Sequence, residues 1–423
     1  MKKVQRSLFT WGFILLACFT VFPLQAGEGG QSFIKEGERW GFYGDSITHA
    51  NVYPRLLERV FRHFHPESKV GFTNKAVWGK KLSETKTGDT AEKANQPTVL
   101  SIMLGMNDVI NSGYLKGKPI SMVVDAYRSN ITKLVRELKA NGIEVLLMTP
   151  TLTDETCRLT VFQIEGSEPA LRALSPVIRE VAEKEGAFWI PMQEDFEAFQ
   201  KSLPLREQIL CPDGVHPNSL GQYHMARMLW ERLNVIGKLG TGERKLVEPS
   251  APLRISASLS SRFLEPGNNQ LDIILDVDKP MKVTASWSCS GEWRSTSPIE
   301  ITGSGSEKLS LSGHDTWSIK LSEGLIPKEN GKVANLVLDF SGEGSRAVFV
   351  VDLVRTRVLH LKDNQVGGTI DSEVERPEGK RVCNWSFQRI NKGLMFEAEI
   401  MDSEITAGSF WPGSGDALSL SLD

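Results

Sequence analysis

Residues 40–50, WGFYGDSITHA, decide the fold. Trp40 to Tyr43 is a short apolar run without alternation, which belongs to a strand covered on both faces, and Gly44-Asp45-Ser46 breaks it before helical periodicity begins at Val52. Working outward, the same unit repeats. Strands are predicted at Val70 to Asn74, Val99 to Leu104, Val145 to Met148 and Ala187 to Ile190, with helices at Val52 to Phe64, Met122 to Ala140, Pro169 to Lys184 and Leu220 to Leu233. In the second helix Ile131, Leu134, Val135 and Leu138 recur at three- and four-residue steps, and Asn141-Gly142 ends it. Strands alternating with helices across residues 31–240 predict a five-stranded parallel sheet between two helical layers.

Ligands of such sheets bind beyond the carboxyl ends of the strands, so motifs at those ends carry the chemistry. Three follow the first three strands: Gly44-Asp45-Ser46, Asn74 to Gly79, and Gly105-Met106-Asn107-Asp108. A fourth, Asp213-Gly214-Val215-His216, opens the last helix. Ser46, projected from a tight turn, is placed as a nucleophile; His216 is the base that deprotonates it, and Asp213 orients His216. The Ser46 and Gly79 amides and the Asn107 side chain are the candidate oxyanion donors. Trp78, where a small residue would leave room, is expected to narrow the acyl pocket and favour a short acyl group, and His49 is a candidate substrate contact. Asp45 and Asp108 are expected to hold turn backbones.

Over residues 35 to 237 these motifs make the chain resemble the SGNH or GDSL hydrolases, the four letters falling on Ser46, Gly79, Asn107 and His216. The resemblance implies a flavodoxin-like α/β/α fold and a Ser-His-Asp esterase working through an acyl-enzyme. The second motif departs from the family's usual Asn-x-Gly-x-Ser-Gly, reading Asn74-Lys75-Ala76-Val77-Trp78-Gly79. No metal or organic cofactor is implied.

The flanks add context. Lys2, Lys3 and Arg6 precede an uncharged apolar run from Leu8 to Leu24, and Leu24-Gln25-Ala26 suits cleavage, so residues 1–26 are read as a signal peptide. A membrane anchor, or a lipid attached at Cys18, are the competing readings. The protein is therefore expected to be secreted or periplasmic. The whole chain, at formal charge -3, is no polybasic nucleic-acid binder, and loss of the leader makes the remainder more acidic. Cys157, Cys211, Cys289 and Cys383 then remain, with no pair at metal-ligand spacing. Cys157 and Cys211 both approach the catalytic edge, and a disulfide between them is expected.

Residues 241–252, TGERKLVEPSAP, read as a linker. Beyond it, residues 253–355 are read as short alternating runs, such as Leu271 to Val277 and Leu336 to Phe340, separated by Gly, Ser, Asp and Pro clusters, the pattern of a β-sandwich. Residues 356–423 look like a partial β module, with alternation at Leu394, Phe396, Ala398 and Ile400 and again at Leu418, Leu420 and Leu422, and an incomplete module or fragment is expected. This stretch weakly resembles a family 9-like carbohydrate-binding module. Trp287, Trp293, Trp317, Trp385 and Trp411 are expected to fill sandwich cores in preference to stacking on sugars. Together the features predict an exported esterase acting on O-acyl, chiefly O-acetyl, groups of polysaccharides, with the β modules as candidate polysaccharide binders. The alternatives are a lipase or phospholipid esterase, and a carbohydrate-binding protein whose hydrolase domain is inert.

Overall fold

The structure is a computed structural model. It describes residues 30–86, 96–110, 119–157, 162, 164–203, 209–249, 253, 255–259, 263–264, 269–290, 299–322, 325, 333–342 and 345–355, and, by their backbone, 365–371, 382–390 and 393–401. The leader with Cys18, and Trp293, Trp411 and Leu418 to Leu422, lie outside the described residues.

A parallel sheet in the order β2-β1-β3-β4-β5 forms the centre of the first domain. Its strands are β1 (Arg39–Gly44), β2 (Gly71–Asn74), β3 (Val99–Met103), β4 (Glu144–Met148) and β5 (Phe188–Ile190). All five positions of β3 are buried, as an apolar run between two helical layers requires. The helices are α1 (Ser46–His49), α2 (Val52–Phe64), α3 (Met106–Val109), α4 (Ile120–Ala140), α5 (Ser167–Glu185), α6 (Met192–Ser202) and α7 (Ser219–Arg232). The predicted α2 boundaries are met at both ends. Three helices were not predicted: the single turns α1 and α3, which follow strand ends, and α6. The α6 sequence carries a readable signal, since Met192, Phe196 and Phe199 recur on one face behind Pro191 and are all buried.

Two sheets follow, antiparallel throughout except that β13 and β7 pair in parallel. One runs β10-β9-β12-β13-β7 and the other β11-β8-β6. Their strands are β6 (Ile255–Leu259), β7 (Phe263–Leu264), β8 (Gln270–Val277), β9 (Met281–Ser290), β10 (Ile301–Leu311), β11 (His314–Lys320), β12 (Val333–Gly342) and β13 (Ser345–Arg355). They share an apolar core that includes Ile273, Leu275, Trp317, Leu336, Leu338, Phe340 and Phe349, so Trp317 is a core residue as expected.

The outer face of the larger sheet is also covered. Along β12, Leu336, Leu338 and Phe340 point into the sandwich, while Val337 joins the hydrolase core together with Val348 of β13. The covering helices are α2 and α7. His63 of α2 bonds Ser288 Oγ at 2.7 Å, and Tyr223 of α7 donates to the Val348 carbonyl at 3.1 Å. Glu58, beside Arg55, accepts from the Ile299 amide at 3.4 Å. Burial pushes the His63 imidazole down to about 4, so it sits neutral in this interface.

Residues 241–249 lie along the hydrolase domain. Arg244 pairs with Glu38 and donates to the Phe33 carbonyl at 2.6 Å, and Arg232 reaches Glu248 at 3.2 Å. A separate unit contains β14 (Gln365–Asp371), β15 (Val382–Ile390) and β16 (Gly393–Met401), paired antiparallel in that order.

Candidate active site

The turn after β1 presents Ser46. A β-carbon at Gly44 would run into the Met103 carbonyl oxygen at 2.8 Å, so the absent side chain lets the chain turn against β3. Asp45 then caps α1, its Oδ1 accepting from the Ile47 amide at 3.0 Å. Thr48 and Tyr53 share a buried hydroxyl hydrogen bond at 2.9 Å, which ties α1 to α2. Gln222 of α7 accepts from the Tyr53 amide at 3.3 Å, linking the helix after Ser46 to the helix after His216.

The second half of the site is the loop before α7. Gly214 has φ +72°, and a β-carbon there would meet the Asp154 carbonyl oxygen and Cys157 Cβ at 2.8 Å, so only glycine fits. The loop is pinned by Asp154 N–H to Gly214 O at 2.8 Å and by Cys211 N–H to His216 O at 2.7 Å. Asp213 Oδ1 accepts from the amides of Val215 and His216 at 2.9 and 3.0 Å, while its Oδ2 meets His216 Nδ1 at 2.7 Å. His216 Nε2 stands 2.8 Å from Ser46 Oγ. The structure thus brings Ser46, His216 and Asp213 into one hydrogen-bonded chain, with Ser46 and His216 both buried.

The electrostatics assign the protons. Burial pushes the Asp213 carboxyl up, but the His216 side chain and the two amides outweigh it and hold the group below the ordinary carboxylate range. An ionised carboxylate only accepts, so His216 Nδ1 carries the hydrogen and Nε2 offers a lone pair to the Ser46 hydroxyl. Behind the site, burial raises Asp45 to about 7 and Asp108 to about 6. Asp108 accepts from the Leu82 amide with both oxygens, at 3.1 and 3.0 Å. Both acids hold turns, as expected.

The second and third motifs share one side of the sheet edge. Asn107 Nδ2 donates one hydrogen to the Lys80 carbonyl at 3.4 Å, beside Gly79. Gly79 has φ +66° with nothing near its missing side chain, so the turn demands glycine through its backbone conformation. The Ser46 amide opens α1, where N–H groups have no partner inside the helix. Trp78 is 48% exposed, and its ring meets the His49 ring at 5.3 Å. His49 Nδ1 bonds the Ala76 carbonyl at 2.7 Å, so Trp78, His49 and the loop after β2 are tied together. Sequence reading missed Phe162, whose ring lies 5.6 Å from the His216 ring; a lone aromatic in a loop gives no periodic signal.

The expected bridge between Cys157 and Cys211 is corrected. Both thiols are free, as is Cys289. Cys157 instead packs against the bare Cα of Gly214 and directs its sulfur to the Pro212 carbonyl. Burial pushes the Cys211 thiol up to about 11, which keeps it protonated and unreactive. Among the described residues, no three His, Cys, Asp or Glu side chains gather as metal ligands would.

Comparison with known proteins adds the family. Structural similarity extends to a catalytic mutant of an acetylxylan esterase from Geobacillus stearothermophilus (23% identity, 47% of this chain and 95% of that one, TM-score 0.40). It also extends to a GDSL-like lipase from Parabacteroides merdae (21% identity, 49% and 100%, TM-score 0.41). A third is an alpha/beta hydrolase from the metagenome of Lake Arreo, Spain (19% identity, 48% and 99%, TM-score 0.39). No curated protein matches the chain in sequence. Residues 42–223 match the GDSL-like Lipase/Acylhydrolase family, and by that match this stretch is a GDSL-like domain of the ester-hydrolase type.

Proposed function

We propose that the protein is an exported serine esterase that removes short O-acyl groups, chiefly acetyl, from polysaccharides. The observation that carries the mechanism is the chain Asp213 Oδ2 to His216 Nδ1 at 2.7 Å and His216 Nε2 to Ser46 Oγ at 2.8 Å. Ser46 Oγ attacks the ester carbonyl carbon as His216 Nε2 takes its proton, and Asp213 balances the imidazolium charge. The carbonyl oxygen gains the negative charge and is met by the Ser46 and Gly79 amides and the Asn107 side chain; losing one such donor costs about 3 kcal/mol. Collapse of the tetrahedral intermediate expels the sugar alcohol, to which His216 returns the proton. Water, deprotonated by the same nitrogen, then attacks the acyl-enzyme and frees the acid and Ser46.

The substrate side rests on different support. The charged n-region and apolar run before Gly27 suit export. The exposed aromatic Trp78, with His49 against it, suits a leaving group that carries a ring more than a long acyl chain, which needs a deep apolar groove.

The test compares wild type and Ser46→Ala on p-nitrophenyl acetate, p-nitrophenyl decanoate and acetylated oligosaccharides, reading acid release. Loss of all activity in the variant and preference for acetyl esters are expected. Equal activity in the two proteins would overturn the nucleophile, and preference for decanoate would overturn the acetyl reading in favour of a lipase.

A further inference from the structure

Among the described residues, the large apolar side chains that stand exposed are Val77, Trp78 and Met122, and two of these are neighbours on the loop after β2. Exposing an indole costs free energy unless something covers it in use, and this one meets His49, the last residue of the helix that Ser46 opens.

The loop that carries it is fastened along its length. Lys75 N–H donates to the Phe42 carbonyl at 2.8 Å, and Val77 N–H donates to the Gly44 carbonyl at 3.0 Å, two residues before Ser46. Asn74 Oδ1 accepts from the Ala76 amide at 3.0 Å, and its Nδ2 donates to the Thr48 carbonyl at 2.7 Å and to Asn51 at 2.9 Å. Lys80 N–H closes the turn on the Val77 carbonyl at 3.2 Å. On its inner side the indole meets the His49 ring at 64° between planes, and His49 is itself tied to Ala76. Trp78 is therefore a rigid aromatic surface, ordered before any ligand arrives, half open to water, and connected to the nucleophile turn by a short hydrogen-bonded path.

An occupant must match that shape. A fatty acyl chain gains most when removed from water on all sides, in a concave groove; a half-exposed indole on a tight turn that also carries the polar Asn74, Lys75 and Lys80 offers a flat aromatic face instead. A pyranose ring fits this: one face presents C–H groups to the indole while its rim hydroxyls stay in water or bond the flanking side chains. From this juxtaposition we infer that Trp78, braced by His49, is the stacking platform for a sugar ring of the alcohol portion of the substrate, held next to the ester that Ser46 attacks. This rests on the polysaccharide reading above and goes beyond it in assigning the ring to the leaving-group side of the site.

The test measures kcat and KM of the full chain, as wild type, Trp78→Ala and Trp78→Phe, on acetylated xylo-oligosaccharides and on p-nitrophenyl acetate. The ratio of kcat/KM for oligosaccharide to that for p-nitrophenyl acetate should fall about tenfold in Trp78→Ala, chiefly through KM, and recover most of the way in Trp78→Phe. If wild type cleaves the oligosaccharide and the ratio is unchanged in Trp78→Ala, the platform is overturned and the polysaccharide reading stands. If wild type cleaves p-nitrophenyl acetate but no acetylated xylo-oligosaccharide or other acetylated glycan, the polysaccharide reading fails and the platform with it.

Discussion

Replacing Asp213 with Asn isolates the carboxylate charge while leaving the loop in place. In the native site Oδ1 accepts from two amides, Val215 at 2.9 Å and His216 at 3.0 Å, and an Asn oxygen can keep both. The Asn nitrogen then falls where Oδ2 stood, 2.7 Å from His216 Nδ1. Two donors cannot face each other, so His216 moves its hydrogen to Nε2, where it points at Ser46 Oγ and removes the lone pair that the attack requires. The imidazolium also loses its counter-charge in a site where His216 is only 5% exposed and solvent screening is weak. In the best-studied site of this kind the same change lowers kcat by about ten-thousandfold, which corresponds to about 5 kcal/mol of transition-state stabilisation. Initial rates on p-nitrophenyl acetate under saturation, with circular dichroism melting as the control for folding, give the readout. The expected result is a fall in kcat of about a thousandfold or more with KM and Tm near wild type. A variant that keeps its fold and more than about a tenth of wild-type kcat would refute the orienting role of Asp213.

Two further predictions concern stability. Burial raises Asp45 from the ordinary 3.8 to about 7, so the native state keeps this proton after the unfolded chain has released it, and stability falls as pH climbs through that window. Asp45→Asn should therefore gain on wild type between pH 4 and pH 8 by up to about 4 kcal/mol in urea unfolding, and an equal difference at both pH values would contradict the burial argument. Arg244→Ala strips the partner from the buried Glu38 and a donor from the Phe33 carbonyl, and should cost about 3 kcal/mol. No change in the urea midpoint would show that the pair is solvated.

Much of the hydrolase domain was legible because its signals are local. Each strand is an apolar run, each long helix has a periodic face, and the motifs at the strand ends follow from strand position alone. Ser46, Asp213 and His216 could be brought together from the sequence because parallel strands deliver their carboxyl ends to one edge. The cysteine pairing failed for a tertiary reason: Cys157 is drawn over Gly214, a contact between loops that no spacing rule encodes. The role of α2 was equally hidden. Arg55, Glu58, Arg59 and Arg62 look like a solvated face, yet all four are buried. One hint was present in β12, where Leu336-Val337-Leu338 is continuous rather than alternating, as in a strand covered on both faces.

That covered face has a consequence for how the molecule comes apart. The nucleophile turn leads into α2 and the histidine loop into α7, and both helices lean on the same β-sheet through His63 and Tyr223. Heat should melt hydrolase and sandwich in a single cooperative transition. A chain cut after residue 240 would lay bare the apolar and charged underside of both helices, and would lose the support of the two loops that face each other across the reacting bond.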